Sequence, residues 1–188
     1  MPEFVSRAGQ KLEHALSTFD RDVTAAVCAD LGSNTGGFVD CLLQRGAAKV
    51  YAIDTGYGAL EWKLRKDPRV VVMERTNAMH ATLPELVDVV SIDVAWTKQR
   101  HILPAARRML KDGGFVLTLI KPHYEADPAQ LRGGVLPEDS VDAVVESVVA
   151  GAVRDAGFDV AGVTRSPIKG AKGNAEVLAL LRPRSAVA

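Results

Sequence analysis

Apolar positions first fall at helical spacing. Ala8, Leu12, Ala15, Leu16 and Phe19 form one stripe over residues 6–19, with Ser6 as the expected N-cap. Lys11 lies on the edge of that stripe rather than on the solvated face. Short continuous apolar runs then alternate with helical stretches. Strands are expected at residues 26–31, 49–54, 70–73, 87–93 and 115–120, with Asp30, Asp54 and Asp93 at or beside three of their ends. Helices are expected at residues 37–45 and around 102–110, the second stopped by the turn signal Asp112-Gly-Gly114. The clearest helix begins near Asp139-Ser140. Val141, Val144, Val145, Val148, Val149, Ala152 and Val153 repeat there at steps of 3, 1, 3, 1, 3 and 1, and Gly157 closes the pattern. Two last strands, 158–164 and 176–181, have no helix between them, so they are expected to pair antiparallel.

Strand–helix alternation with unbroken apolar strands implies an α/β fold, a mostly parallel sheet covered on both faces. The expectation is seven strands, a terminal antiparallel hairpin and an N-terminal helix, with residues 1–188 as a single domain. Composition narrows the class further. Apolar residues make up 47% and charged residues 24%, which excludes disorder and low complexity. No uncharged apolar run approaches the roughly 18 residues of a membrane span. Neither a secretory signal nor a cysteine framework is present, since Cys28 and Cys41 stand alone, so a cytoplasmic protein without a metal site is expected. Lys and Arg (23) balance Asp and Glu (23), so any nucleic-acid partner must be drawn by a local patch.

The turn Asp30-Leu-Gly-Ser-Asn-Thr-Gly-Gly-Phe38 follows the first strand, where ligands of doubly wound sheets bind. A phosphate loop would need Lys-Ser/Thr after the glycines, and Phe38-Val39 stands there. A dinucleotide fingerprint needs G-x-G-x-x-G, whereas this turn is Gly32-x-x-x-Gly36-Gly37. Asp30 suits a cationic group, such as the amino end of S-adenosylmethionine, better than a pyrophosphate. Asp54, 24 residues on, is placed to accept both ribose hydroxyls of an adenosine. Asp30, Gly32, Ser33, Gly36, Gly37, Phe38, Asp54, Asn77 and Asp93 are therefore the candidate cofactor residues, Asn77 for the adenine amino group. The predicted sheet and turn together are the architecture expected of a class I (Rossmann-like) S-adenosylmethionine-dependent methyltransferase.

Four charged residues, Lys11, Asp93, Lys121 and Glu176, sit at strand ends or on the buried edge of a helix. With the segments Ser6-Arg-Ala-Gly-Gln-Lys-Leu12, Ser91-Ile-Asp-Val94, Leu119-Ile-Lys-Pro122 and Gly173-Asn-Ala-Glu176, the chain resembles the FtsJ-type ribose 2′-O-methyltransferases. Cys41-Leu-Leu-Gln-Arg-Gly46, Asp54-Thr-Gly-Tyr-Gly58, Glu74-Arg-Thr-Asn77 and Ser166-Pro-Ile-Lys-Gly170 are similar to the hemolysin A (TlyA) branch, and the likeness runs over residues 5–182. The resemblance implies that Lys11, Asp93, Lys121 and Glu176 form a catalytic Lys-Asp-Lys-Glu tetrad with Lys121 as the base. It also implies an RNA substrate, ribosomal in the first instance. That branch carries a small RNA-binding domain before the catalytic one; here four residues precede Val5, which fits either an excised catalytic domain or a lineage without the module. Trp96 stands where the branch more often has Phe, a candidate stacking surface.

Arg7, His123, Arg165, Lys169 and Lys172 flank the expected cleft and are the candidate RNA contacts. Residues 169–173 read as a mobile basic loop, and Arg132-Gly-Gly134 as part of a flexible lid. The competing readings are a nicotinamide oxidoreductase, a methyltransferase of small molecules or of non-ribosomal RNA, and a membrane-active hemolysin. Glycine spacing disfavours the first, and the absence of a lysine-rich amphipathic helix disfavours the last.

Overall fold

Seven strands form one sheet in a computed structural model that describes residues 3–184: β1 (Val27–Leu31), β2 (Lys49–Ile53), β3 (Val70–Met73), β4 (Val87–Ile92), β5 (Leu110–Ile120), β6 (Phe158–Arg165) and β7 (Val177–Pro183). Their order is β3-β2-β1-β4-β5-β7-β6. β1 to β5 are parallel to one another, and β7 runs antiparallel to both β5 and β6, as expected for the terminal pair. The helices are α1 (Ala8–Thr18), α2 (Gly37–Gln44), α3 (Trp62–Arg65), α4 (Gln99–Met109), α5 (Pro122–Glu125) and α6 (Val141–Val148).

The unbroken apolar strands are explained by two cores. Leu31, Ile53, Ile92, Ile120 and Leu181 face the layer of α4 and α6. Their neighbours Val50, Val89, Leu117, Leu119 and Leu180 face the layer of α1 and α2 with Leu12, Leu16 and Phe38. Side chains alternate along a strand, so a sheet covered on both faces needs apolar residues at both parities.

Three elements differ from the sequence expectation. Ser6 is not a side-chain cap: Arg7 holds the N-cap position, and the Ser6 carbonyl accepts from Gly9 N–H at 3.1 Å. Asp112-Gly-Gly114 does not separate helix from strand, because β5 already starts at Leu110. Val87 pairs with Leu110 and Val89 with Phe115, so the surplus residues are extruded as a bulge, with Gly113 at φ +82. The last helix runs the full length of its pattern, to Asp155, but changes winding on the way, since α6 passes into a π turn over Val149–Val153. Val141, Val145, Val148 and Val153 are buried, and the step from Val148 to Val153 is the five-residue step of a π turn. The side chain of Ala152 lies outside the described residues. The short helices α3 and α5 are too brief to show a period and were not expected.

Candidate active site

Strand order reverses between β1 and β4, and at the carboxyl ends of these strands two hollows share Gly32, Asn34, Asp93 and Ala95. The wider, about 480 Å³, is also lined by Asp54, Asn77 and Trp96. The narrower, about 170 Å³, is lined by Ser6, Asp30, Ser33, Phe38 and Lys121. A still larger groove of about 710 Å³ lies between α4 and α6 and holds none of the expected site residues.

Gly32 takes φ +90, and a Cβ there would stand 2.6 Å from the Asp93 carbonyl oxygen, so glycine alone lets the β1 and β4 loops meet. Asp54 is held by two backbone N–H groups, from Asn34 (2.8 Å) and Gly56 (2.7 Å), on separate oxygens. Its remaining lone pairs are open to hydroxyl donors. Asn77 is exposed, and its side-chain oxygen accepts from Met79 N–H at 3.0 Å. That leaves its amide N–H groups as donors, which suit a ring nitrogen better than the exocyclic amine expected from sequence. Phe38 and Ser33 are buried at the edge of the narrower hollow. Gly37 lines the narrower hollow, and both helix-start glycines are also packing positions: a Cβ on Gly36 would collide with Leu64, and one on Gly37 with Ser6 Oγ and, at 2.9 Å, the Gly9 nitrogen.

Asp30 is wholly buried. Its Oδ1 accepts from Ser91 Oγ at 2.6 Å, and its Oδ2 has no partner among the described residues. Burial pushes its carboxyl up to about 7, against the opposing pull of the Ser91 hydrogen bond.

The four tetrad candidates form two ion pairs at this same end of the sheet. Lys121 Nζ lies 2.6 Å from Asp93 Oδ1 and donates to the Val94 carbonyl at 2.9 Å. Lys11 Nζ lies 2.5 Å from Glu176 Oε2, with both side chains under 10% exposed. The antiparallel register relates the pairs. Ile120 is opposite Val177, so Lys121 and Glu176 leave adjacent strands at the same level. Lys121 and Asp93 line the narrower hollow, and Lys11 and Glu176 are not among its lining residues. Gly170 packs directly against the Glu176 carboxylate, where a Cβ would collide.

The RNA candidates separate into two groups. Arg7, Lys169 and Lys172 are exposed and carry no ion pair among the described residues. His123 is 8% exposed, and burial and the Lys121 charge hold its pKa below the usual histidine value. It is a neutral interior group, which corrects its expected role as a phosphate contact. Arg165 is exposed but paired with Asp142 (2.7 Å) and Glu138 (3.4 Å), so its charge is already offset. The expected mobile loop and lid are tied to each other. Buried Asn174 accepts from Leu136 N–H at 3.0 Å and donates to the carbonyls of Gly134 and Ala171 at 3.1 Å each. Ser91, Gly170 and Asn174 lie inside the quoted motifs, yet no role was expected for them. A polar Ser91 in the otherwise apolar run of β4 was the available signal.

The fold and hollows define a methyltransferase-type α/β domain. A solved S-adenosylmethionine-dependent methyltransferase from Listeria monocytogenes, 19% identical, shares the fold over 96% of this chain and 100% of its own, with a TM-score of 0.69. The chain belongs to the FtsJ-like methyltransferase family, whose model matches residues 4–182. It is 42% identical to YqxC of Bacillus subtilis (strain 168) over 93% of this chain and 64% of that protein. Identity is 40% to the 16S/23S rRNA (cytidine-2′-O)-methyltransferase TlyA of Mycobacterium tuberculosis (H37Rv), over 97% of this chain and 69% of that one. A solved structure from Streptococcus thermophilus named for hemolysin superposes with a TM-score of 0.94 at 43% identity, covering 99% of this chain and 69% of its own. This chain thus spans about two thirds of the length of these relatives. No helix among the described residues is long and apolar enough to cross a membrane.

Proposed function

We propose that this chain transfers a methyl group from S-adenosylmethionine to a ribose 2′-hydroxyl of RNA, with ribosomal RNA as the substrate. The observation that carries the reading is two Lys–acid contacts, one buried and one half-buried, at one sheet end beside an unpartnered Asp30 oxygen. The cofactor would supply the methyl group on a sulfonium, a leaving group that needs no activation. The residues present fit it. Asp30 Oδ2 lacks a donor and suits the ammonium, Asp54 suits the ribose diol, and Gly32, which lines both hollows, puts no side chain between the two. The substrate class rests on the family and on relatives named for cytidine-2′-O methylation of rRNA.

A ribose hydroxyl is a poor nucleophile, so the protein must align it and accept its proton. Alignment contributes up to about 7–11 kcal/mol in favourable cases, and a general base about 10²–10⁴-fold. Lys121 is the base in this reading. To accept that proton it acts as the neutral amine, and its Nζ is held by Asp93 and the Val94 carbonyl at the hollow that Asp93 also lines. Lys11 and Glu176 form the second, buried pair, with Glu176 level with Lys121 across the β5–β7 register. Lys121→Ala is expected to lower single-turnover methyl transfer to ribosomal RNA by at least about 10²-fold. Cofactor affinity by calorimetry should stay within about threefold. Undiminished transfer would remove Lys121 from the chemistry.

A further inference from the structure

We infer that Ser91 is a positioning residue for the cofactor's amino group, acting through Asp30. The inference rests on the S-adenosylmethionine reading above and concerns a side chain outside the four tetrad candidates. Asp30 and Ser91 are register partners on the adjacent parallel strands β1 and β4. Both are fully buried, and their neighbours in these strands are apolar. A serine here contributes little to packing. Its hydroxyl instead donates to Asp30 Oδ1 at 2.6 Å, which fixes the carboxylate rotamer and leaves Oδ2 as the unpartnered oxygen beside the narrower hollow.

The hydrogen bond also favours the charged form of the acid against burial. The other charged groups around Asp30 are Asp54 at the end of β2, Asp93 at the end of β4, and Lys121 at the end of β5, whose charge is already engaged by Asp93. Two acids thus oppose the ionisation of Asp30. Cys28, on its own strand, remains a neutral thiol because burial pushes its pKa up to about 12. From α1 and α2 the hollow receives Ala8, Gly37 and Phe38, which carry no charge, and Ser6 just before α1. Ser91 is therefore the local donor that helps Asp30 present a carboxylate to an ammonium. Without it, an isolated buried acid would keep its proton to higher pH and recognise a cation poorly.

Two ligands separate this role from damage to the hollow. S-adenosylmethionine carries the amino group; 5′-methylthioadenosine has the same nucleoside and sulfur but lacks the amino-acid end. Calorimetric titration of the full chain from pH 5.5 to 8.5 should show S-adenosylmethionine affinity rising with pH as Asp30 loses its proton. Methylthioadenosine affinity should stay flat. Ser91→Ala is expected to weaken S-adenosylmethionine binding about tenfold at pH 7, the scale of one hydrogen bond to a charged group, and to move the midpoint of the rise to higher pH. Methylthioadenosine binding should be unchanged. Ser91→Cys, with a weaker donor of similar size, should fall between wild type and Ser91→Ala, and it serves alone if Ser91→Ala does not fold. An unmoved midpoint in the variants, or an equal loss for both ligands at every pH, would overturn the role of Ser91. Failure of the wild-type chain to bind either ligand would instead overturn the cofactor reading on which it rests.

Discussion

Asp30, the group proposed to bind the cofactor's ammonium, is held in its buried place at a cost to the fold. Its carboxyl is raised from 3.8 to about 7, chiefly by burial. Between those values the native state keeps a proton that the unfolded chain has released, so stability falls as pH rises from about 4 to about 7 and is level above that. The size is on the order of 4 kcal/mol, since each pKa unit is about 1.4 kcal/mol. Asp30→Asn keeps the shape and the acceptor for Ser91 but cannot ionise. Without cofactor, Asp30→Asn should therefore melt above wild type at pH 8, and the gap should close as pH falls toward 4. A constant gap across that range would mean that Asp30 is not the group responsible. The same substitution should weaken S-adenosylmethionine binding at pH 8. The site and the fold thus make opposite demands on one side chain.

At the scale of elements, α1 carries Lys11 to Glu176, and its seating on α2 depends on glycine. A Cβ on Gly37 would strike Ser6 Oγ and the Gly9 nitrogen, part of it backbone that has no rotamer to retreat into. Gly37→Ala is expected to lose about 1–3 kcal/mol of stability in a denaturant titration, the range for overpacking. Gly151→Ala, in the π turn with open space around it, should be near neutral or slightly stabilising. Equal effects would show that the α1–α2 contact is not as tight as the geometry requires. This contact also marks the limit of what was legible along the chain. The seven strands, the terminal pairing and the acid-ended loops were readable because a sheet covered twice needs continuous apolar runs. Lys11 was readable because a charge on an apolar stripe needs a partner. Gly37 was legible as a turn glycine but not as a packing glycine, since its neighbour is 31 positions upstream. The Asp30–Ser91 bond depends on register between strands 61 positions apart, and the β5 bulge on how that strand meets β4. Local pattern carries neither.

For the whole molecule, the carboxyl end of the sheet gathers both hollows and both ion pairs, and under the proposed function it must also meet a polyanion with no help from net charge. His123 is neutral and buried, and Arg165 is engaged by two acids. Attraction then falls to Arg7, Lys169 and Lys172. Lys172 sits over Gly134 on the turn that Asn174 ties to its own loop, so these cations are presented on a braced surface rather than on a loose strand. Each phosphate contact on single-stranded RNA releases counterions, and log affinity falls by about 0.7 per contact for each unit of log salt. Three such contacts give a slope of about −2, modest beside that of strongly basic RNA-binding proteins. Lys169→Ala with Lys172→Ala should bring the slope to about −0.7 and weaken RNA binding in 50 mM salt more than in 200 mM. Cofactor affinity should be unchanged, because neither lysine lines a hollow. Arg165→Ala should leave the slope where it was. A steep slope that survives loss of both lysines would place the RNA on a different face of the sheet, away from the two ion pairs proposed to act on it.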